Sequence, residues 1–245
     1  EVIPEGLFLP EHNGLYDQKG ARVTAACIRR GIHRDEIIAT GPEYITDVGT
    51  PARLDETVIY GGTLDPRWGH FLTESIARLW SATQASLRGH RIVFHSPRHL
   101  RETGLVRDFL SLSGLPPERF LTLERPTRFR AVLLPPPSMI NRGSIHREHA
   151  RLPLAVAEAL VSRDQSPTEQ PLYLSRSRLP EGSRAVQGEP ELEARLVRAG
   201  VKVVHPERLG FAEQVRLINA HRTVIGCVGS ALHSILFSRE PQRTI

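Results

Sequence analysis

Hydrophobic and polar positions along the chain follow two different periods, and together they predict an α/β protein. Short runs of β-branched and aliphatic residues bounded by glycine or proline predict strands, whereas apolar residues that recur every three or four positions predict amphipathic helices. Strands that alternate with helices imply a parallel sheet with helices on both faces. The predicted strands are 57–62, 91–95, 119–124, 131–134, 172–176, 201–205 and 223–226, and the predicted helices are 68–80, 100–113, 147–163, 189–199, 211–220 and 231–237.

The pattern also predicts how the chain divides. Residues 1–57 carry short apolar runs broken by turn formers, including Asn13-Gly14, which suits a tight hairpin turn, so we expect a β-rich start. Three consecutive prolines, Pro135 to Pro137, then end regular structure, because proline fixes φ and lacks an N–H donor. We therefore expect two Rossmann-like domains, residues 1–140 and 141–245, that face each other across a cleft with ligands at the carboxyl ends of their strands.

The charged residues of the chain indicate which class of ligand it binds. The net charge of +5 comes almost wholly from arginine, because Lys19 and Lys202 are the only lysines. The arginines are scattered rather than arranged as a basic stripe with interleaved aromatic residues, so we do not expect nucleic-acid binding. Arginine is well shaped for a bidentate grip on phosphate or carboxylate, which favours acidic small molecules as ligands.

Two cysteines, Cys27 and Cys227, lie far apart in apolar surroundings, which favours reduced, buried thiols and a cytoplasmic chain. No apolar run approaches the roughly 20 residues of a transmembrane helix, and the first residues lack the layout of a signal peptide. Peripheral association with the inner membrane face is compatible with this pattern. The chain lacks an initial methionine and ends just past the last predicted helix, so we expect trimming of its ends, including truncation of the C-terminal domain.

Residues 223–237 form the stretch with the clearest binding potential, since they predict a buried strand, a glycine turn and a helix. Gly226 and Gly229 let the backbone approach a ligand, and Ser230 can cap the helix or donate its hydroxyl. Free N–H groups in the first helical turn and the positive end of the helix dipole both attract an anion. The alternative is a plain tight turn. The spacing matches neither the dinucleotide G-x-G-x-x-G motif nor the P-loop.

Three further residues are candidates for binding an anionic donor. Arg176 ends the strand before the polar loop, where its guanidinium can reach a diphosphate, and Arg184 lies in the same loop. The alternative for both arginines is a solvated surface position. Glu213 begins a predicted helix, where it can contact a nucleotide but is better explained as a partner of the helix dipole.

His70 and Glu74 are the candidates for acid–base chemistry. They stand four residues apart on one predicted helical face, so they can touch or act on one ligand. Histidine titrates near neutral pH and suits proton abstraction, with helix capping or packing beside Trp68 as the alternative. Glu74 can orient His70 or pair with Arg78, and the ion pair is the favoured interpretation.

No metal site is predicted. His146 and His149 are close in sequence, but they lack the H-E-x-x-H order and further clustered ligands, so we expect a solvated turn between the domains. Trp80, on the inner face of the helix 68–80, is expected in the core.

The second half of the chain resembles glycosyltransferase family 61, whereas the first half resembles it only through Gly69-His70 and the helix that follows. Several elements agree in order and spacing, which is more specific than any single motif. The matching positions are Tyr173-Leu174-Ser175-Arg176, Arg184, Glu189, Gly200, Pro206-Glu207, Glu213-Gln214, Ala220 and Gly226-x-x-Gly229-Ser230-Ala231-Leu232-x-x-x-x-Phe237.

The resemblance implies an inverting, metal-independent glycosyltransferase of the GT-B architecture that acts in surface or capsular polysaccharide biosynthesis. Residues 1–140 would then form the acceptor-side domain, and residues 141–245 would bind a nucleotide-sugar, with a UDP-sugar as the expected donor substrate and no separate cofactor. The acceptor would be a glycan or a lipid-linked glycan.

On this interpretation His70, with Glu74, acts as the base, and the donor site comprises Arg176, Arg184, Glu213, Gly226, Gly229, Ser230, Ala231 and His233. The chain departs from the family pattern at Gly188, where Asn is usual before Glu189, and at Val228, Ser230 and His233 in the glycine-rich signature. These departures keep open an alternative, a non-catalytic relative that binds nucleotide-sugars or glycans. A Rossmann-type redox enzyme is a third possibility, and the absent G-x-G-x-x-G motif disfavours it.

Overall fold

The computed structural model is a mixed α/β structure that divides into two compact units, Glu1–Leu152 and Pro153–Ile245. Strands and helices alternate in both units, so the predicted α/β class is confirmed, whereas a cleft between two facing Rossmann-like domains stays a prediction. No helix in the described part of the chain is both long and apolar enough to cross a membrane. The structure describes residues 1–10, 12, 14–31, 36–38, 41–47, 49–95, 104–121, 123–179 and 186–245.

A seven-stranded mixed sheet forms the centre of the N-terminal unit. Its strands are β1 (Val2–Pro4), β2 (Leu7–Leu9), β3 (Gly14–Tyr16), β6 (Ala52–Thr63), β7 (Arg91–His95), β8 (Phe120–Leu121) and β9 (Thr127–Leu133). Two small hairpins accompany it, β4 (Ile28–Arg30) with β5 (Glu36–Ile38) and β10 (Met139–Ile140) with β11 (Ser144–Ile145). The first 57 residues therefore contribute several short strands, although Asn13 of the predicted hairpin turn lies outside the described residues.

Four neighbouring strands of this sheet, β8-β7-β6-β9, are parallel. In chain order they are the third, second, first and fourth of the group, which is the order at the centre of dinucleotide-binding sheets. Val58, Ile59 and Tyr60 of β6 are all buried, as expected for a parallel strand that is covered on both faces. The chain leaves β6 toward β7 on one side and returns as β9 on the other, so a crevice forms beyond the carboxyl ends of β6 and β9.

The predicted helix 68–80 is wrong as a continuous α-helix. The structure has an α-helical turn α1 (Trp68–His70), a π-helix (Phe71–Ser75) and a 3₁₀ helix (Leu79–Thr83). Polar side chains explain the irregularity, because the hydroxyl of Thr73 donates to the Gly69 carbonyl (2.8 Å) and that of Ser75 accepts from the Asp65 amide (2.8 Å). Trp80 is half-buried instead of enclosed in the core, and its indole donates to the Pro136 carbonyl.

The remaining helix of this unit is α2 (Gly104–Leu112). Helix α3 (Arg151–Leu160) follows a 3₁₀ turn (Arg147–Ala150), is shorter than the predicted helix 147–163, and lies mostly in the C-terminal unit. Residues 100–103 of the predicted helix 100–113 lie outside the described residues. Further 3₁₀ turns are Thr24–Ala26, Ala85–Leu87 and Pro117–Arg119.

The C-terminal unit contains a four-stranded parallel sheet in the order β13-β12-β14-β15. Its strands are β12 (Leu172–Leu174), β13 (Lys202–Val204), β14 (Thr223–Gly226) and β15 (Arg243–Thr244). Helix α4 (Glu189–Arg198) connects β12 to β13, and α5 (Phe211–Asn219), preceded by a 3₁₀ turn (Pro206–Arg208), connects β13 to β14. The predicted last helix is instead a 3₁₀ helix, Ser230–Phe237, a form that proteins use in short pieces.

Candidate functional site

The carboxyl ends of β12 and β14 mark the place in the C-terminal unit where a ligand is expected. Strand β12 pairs with β13 on one side and with β14 on the other, so the chain leaves β12 in one direction and returns on the opposite side. Ligands of open parallel sheets bind in the crevice at such a point. Leu174 and Gly226 are paired at this edge, and the loops that begin with Ser175 and Cys227 follow directly.

Arg176 and Gly229, two of the predicted donor-site residues, come together here. The Nη1 atom of Arg176 lies 3.0 Å from the position that a β-carbon would occupy on Gly229. The backbone of Gly229 is extended, with φ 167° and ψ −179°, a conformation open to any residue. The missing side chain at Gly229 therefore leaves space beside the guanidinium.

The first amides of the 3₁₀ helix add hydrogen-bond donors to this edge. The Leu232 amide donates to the Gly229 carbonyl (3.1 Å) and closes the first turn, so the preceding amides of Ser230 and Ala231 have no acceptor within the helix. Ser230 is exposed and is not the cap of this helix, since Gly229 occupies that position. A guanidinium and free amides at one edge are suited to an anion.

Gly226 has a packing role in this arrangement. A β-carbon at Gly226 would lie 3.2 Å from Cδ2 of Leu232 and 3.5 Å from the Leu174 carbonyl oxygen. The absence of a side chain therefore lets the 3₁₀ helix pack closely on the end of β14.

Glu189 is a residue that sequence reasoning left out of the site, although the structure places it directly behind Arg176. Its side chain is fully buried, and Oε1 accepts hydrogen bonds from the Tyr173 hydroxyl (2.8 Å) and the Arg176 amide (3.0 Å). Burial raises the pKa of Tyr173, and the hydrogen bond to Glu189 raises it further. Gly188, at φ +76°, lets the chain turn into α4 so that Glu189 points under the loop.

Glu193 supports the same loop one helical turn later. Its carboxylate accepts hydrogen bonds from the hydroxyls of Ser175 and Ser177. Burial would raise the pKa of Glu193, but these two hydrogen bonds outweigh it and the pKa is lowered. Two carboxylates on one face of α4 therefore fix the backbone that presents Arg176.

Replacing Glu189 by alanine is expected to reduce the free energy of unfolding of the C-terminal unit by about 2–4 kcal/mol, because two buried donors lose their acceptor. Glutamine keeps an acceptor oxygen, so Glu189→Gln should lie within about 1 kcal/mol of the parent. Urea unfolding followed by circular dichroism measures both variants. Equal losses for alanine and glutamine would contradict the role assigned to the hydrogen bonds.

The remaining predicted donor residues are less closely associated with Arg176. Glu213 is exposed in the first turn of α5, as expected for a partner of the helix dipole. His233 is half-buried on the 3₁₀ helix, and Arg184 lies outside the described residues. The neighbouring Gln214 donates to the carbonyls of Pro206 and Leu209 and so holds the loop before α5.

His70 and Glu74 form the candidate acid–base pair of the N-terminal unit. The Nδ1 atom of His70 is 3.2 Å from Oε2 of Glu74, and the other carboxylate oxygen accepts a hydrogen bond from Asn141 (3.1 Å). The two atoms are close but are not aligned as a hydrogen bond. The His70 side chain is 31% exposed and that of Glu74 only 8%, so a substrate can reach the histidine.

The predicted ion pair between Glu74 and Arg78 is wrong. The π-helical turn at 71–75 changes the angular position of the following residues, so the i,i+4 relation no longer brings these side chains together. The Arg78 guanidinium instead donates to the carbonyls of Pro135 and Ala25.

His149 is also placed differently from the prediction of a solvated turn. It is 2% exposed, and its ring nitrogens contact the Leu72 carbonyl (2.7 Å) and the Ser138 hydroxyl (2.9 Å). Burial lowers the pKa of His149, and the bond to Leu72 partly offsets this. His146 is exposed. Within the part of the chain that the structure describes, no group of three or more His, Cys, Asp or Glu residues could hold a metal ion.

Comparison with known proteins identifies the family of the chain. The model of the family described as Glycosyltransferase 61 matches residues 68–245, a span that begins just before His70 and includes the whole C-terminal unit. None of the curated proteins compared with the chain matches it.

Proposed function

The chain belongs to glycosyltransferase family 61, and from that premise we propose that it transfers a sugar from a nucleotide-sugar to a glycan acceptor. The proposed reaction inverts the anomeric centre, needs no metal, and belongs to surface or capsular polysaccharide biosynthesis. The proposed donor is a UDP-sugar and the acceptor is a glycan or a lipid-linked glycan. We place the reaction in the cytoplasm, at or near the inner membrane face.

The observation that carries the proposal is the position of the Arg176 guanidinium beside Gly229 and the first amides of the 3₁₀ helix. When the bond from the sugar to the diphosphate breaks, negative charge develops on the departing oxygen. Preorganised donors at that position stabilise the transition state. A guanidinium and two backbone amides can supply this stabilisation from the protein's own groups.

Acceptor activation is assigned to the N-terminal unit. His70 removes the proton from the acceptor hydroxyl as that oxygen attacks the sugar carbon, and Glu74 beside it stabilises the imidazolium that forms. The carboxyl ends of β6 and β9 lead to this pair, as expected for a ligand site in an open sheet. The order of the four parallel strands in the N-terminal sheet and that of the parallel C-terminal sheet support the proposed GT-B architecture.

The departure at Gly188 is compatible with activity. Gly188 has φ +76°, a left-handed conformation that glycine adopts freely and that asparagine tolerates better than most residues. Glycine in place of the family's asparagine therefore preserves the turn that directs Glu189 under the Arg176 loop.

The experiment that tests the proposal is replacement of Arg176 by alanine. We expect kcat/KM for the donor to fall about 10²–10³-fold, with a higher donor KM and a lower kcat, because the guanidinium binds the diphosphate more strongly as its charge develops. Sugar transfer from a panel of UDP-, GDP-, CMP- and TDP-sugars is measured after a thermal-shift screen identifies the nucleotide that raises the melting temperature.

Arg178 supplies the matched control, since it is an exposed arginine in the same loop. Arg178→Ala should keep near-parental kinetics. Equal kinetics for the Arg176 and Arg178 variants would contradict the donor-site assignment. Nucleotide binding without transfer to any acceptor would instead favour a non-catalytic sugar-nucleotide-binding protein.

A further inference from the structure

A small pocket lies beyond the carboxyl ends of β6 and β9, beside the pair formed by His70 and Glu74. It belongs to the N-terminal unit, is open to solvent and has a cavity volume of about 30 Å³. The residues that line it include Cys27, Arg29, Gly62, Glu74, Arg78 and Pro137. We propose that this pocket binds an anionic group of the acceptor, a sugar carboxylate or a phosphate, through Arg78 and Arg29. The inference rests on the proposed transferase function and specifies that the acceptor is anionic.

Arg78 is the first observation behind this inference. Only 5% of Arg78 is exposed, and its guanidinium donates to two carbonyl oxygens, those of Pro135 and Ala25, while it lies 5.7 Å from the ring centroid of Tyr60. Among the described residues no carboxylate lies within ion-pair distance of this guanidinium. A buried charge that has only neutral partners leaves a favourable position for a counter-ion.

Arg29 is the second observation. It is half-buried on β4 and lines the same pocket, so two guanidinium groups lie around one small volume. They are close enough to affect each other, because burial lowers the pKa of Arg78 and the charge of Arg29 lowers it further. An anion in the pocket could accept charge-assisted, bidentate hydrogen bonds from a guanidinium.

Glu74 connects the pocket to the candidate base. It lines the same pocket and contacts His70, so an acceptor held by its anionic group would have its hydroxyls close to the acid–base pair. The negative charge of Glu74 opposes the binding of an anion. Removing that charge should therefore strengthen anion binding, whereas removing the charge of an arginine should weaken it.

Calorimetric titration of the whole chain tests the pocket without measuring transfer. D-glucuronate and inorganic phosphate represent the two sources of negative charge, and D-glucose is the neutral control. Phosphate is titrated into the Arg176→Ala chain, so that the proposed donor site cannot account for the heat. We expect both anions, but not glucose, to bind at low ionic strength, and the tighter of the two identifies the acceptor's anionic group.

Variants of the pocket supply the decisive comparison. Arg29→Gln should weaken anion binding about tenfold or more, the size expected for loss of a charge-assisted hydrogen bond. Glu74→Gln should strengthen it, and Arg107→Gln, which removes an exposed arginine of the same unit, should change nothing. Arg78→Lys keeps the positive charge but loses the paired hydrogen bonds to the two carbonyl oxygens. If the Arg78→Lys chain does not fold, Arg29→Gln still tests the pocket.

Two outcomes would overturn the inference: glucose binding as tightly as the anions, or equal anion affinity in the Arg29→Gln and Arg107→Gln chains. UDP titrated into the parent chain separates this failure from that of the proposed function. If UDP binds and the anions do not, the acceptor inference is wrong and the transferase proposal stands. If neither UDP nor any other nucleotide-sugar of the thermal-shift panel binds, the transferase proposal fails as well.

Discussion

Replacing His70 by alanine is expected to lower kcat about 10²–10⁴-fold while the donor KM changes little, since loss of a general base acts mainly on the chemical step. The expectation follows from the exposure of the imidazole and its contact with the nearly buried carboxylate of Glu74. Steady-state transfer kinetics with the donor found by the thermal-shift screen provide the measurement.

A chemical rescue separates a base from a residue that only packs. Alanine at this partly exposed position leaves room for a small molecule, so added imidazole should restore part of the lost rate if His70 transfers a proton. His146→Ala is the matched control, because His146 is an exposed histidine of the same unit. A His70→Ala chain that lost less than about tenfold in kcat would rule out the base assignment. Glu74→Gln should have a smaller effect, because Glu74 acts through His70.

The sequence predicts the C-terminal unit best. Strand β14 has the predicted bounds Thr223–Gly226, and helices α4 and α5 agree with prediction to within one residue. Strands buried on both faces read as continuous aliphatic runs, and helices on their surfaces keep an apolar face of period 3.6. Both signals are local, so they can be read from the chain itself.

The helix predicted over 68–80 shows where this reasoning fails. Its apolar positions have helical spacing, yet Thr73 and Ser75 bond to backbone groups and the chain forms α-, π- and 3₁₀-helical pieces. The contact between His70 and Glu74 is nevertheless present. The lost Glu74–Arg78 pair lies one turn later, after the irregularity.

For the candidate site, sequence order alone brought Arg176 and Gly229 to one edge, because consecutive strand ends of a parallel sheet meet there. Glu189 was missed for a physical reason. An acidic residue at the start of a helix is ordinarily an exposed partner of the helix dipole. Its burial here depends on Tyr173 and on the Arg176 amide, two groups that only the tertiary structure brings to it.

His95 gives the second large expected effect, a loss of stability in acid. The imidazole ends β7, is fully buried, and stacks on Phe8 with ring centroids 4.0 Å apart. Among the described residues neither ring nitrogen has a hydrogen-bond partner. Burial therefore lowers the pKa of His95 from 6.5 to about 3, because the charged form has no group to stabilise it.

The sign of the pH dependence follows from linkage. Above pH 6.5 the imidazole is neutral in both the folded and the unfolded chain, so it makes no pH-dependent contribution. As pH falls from 6.5 toward 3, the unfolded chain binds a proton that the folded chain excludes, and the free energy of unfolding decreases. The slope is about 1.4 kcal/mol per pH unit, and the total loss is about 4–5 kcal/mol.

We therefore expect His95→Phe to lose this dependence while it keeps an aromatic ring stacked on Phe8. At pH 7 the variant should be at least as stable as the parent, because it removes two buried nitrogens that lack partners. Both tryptophans, Trp68 and Trp80, lie in the N-terminal unit, so urea unfolding followed by tryptophan fluorescence reports on the unit that contains His95. Between pH 6.5 and 4 the parent and the exposed-histidine control His146→Ala should lose stability in parallel, and His95→Phe should lose about 3 kcal/mol less. Parallel curves for all three chains would mean that His95 is protonated in the folded protein and that the burial argument for this site is wrong.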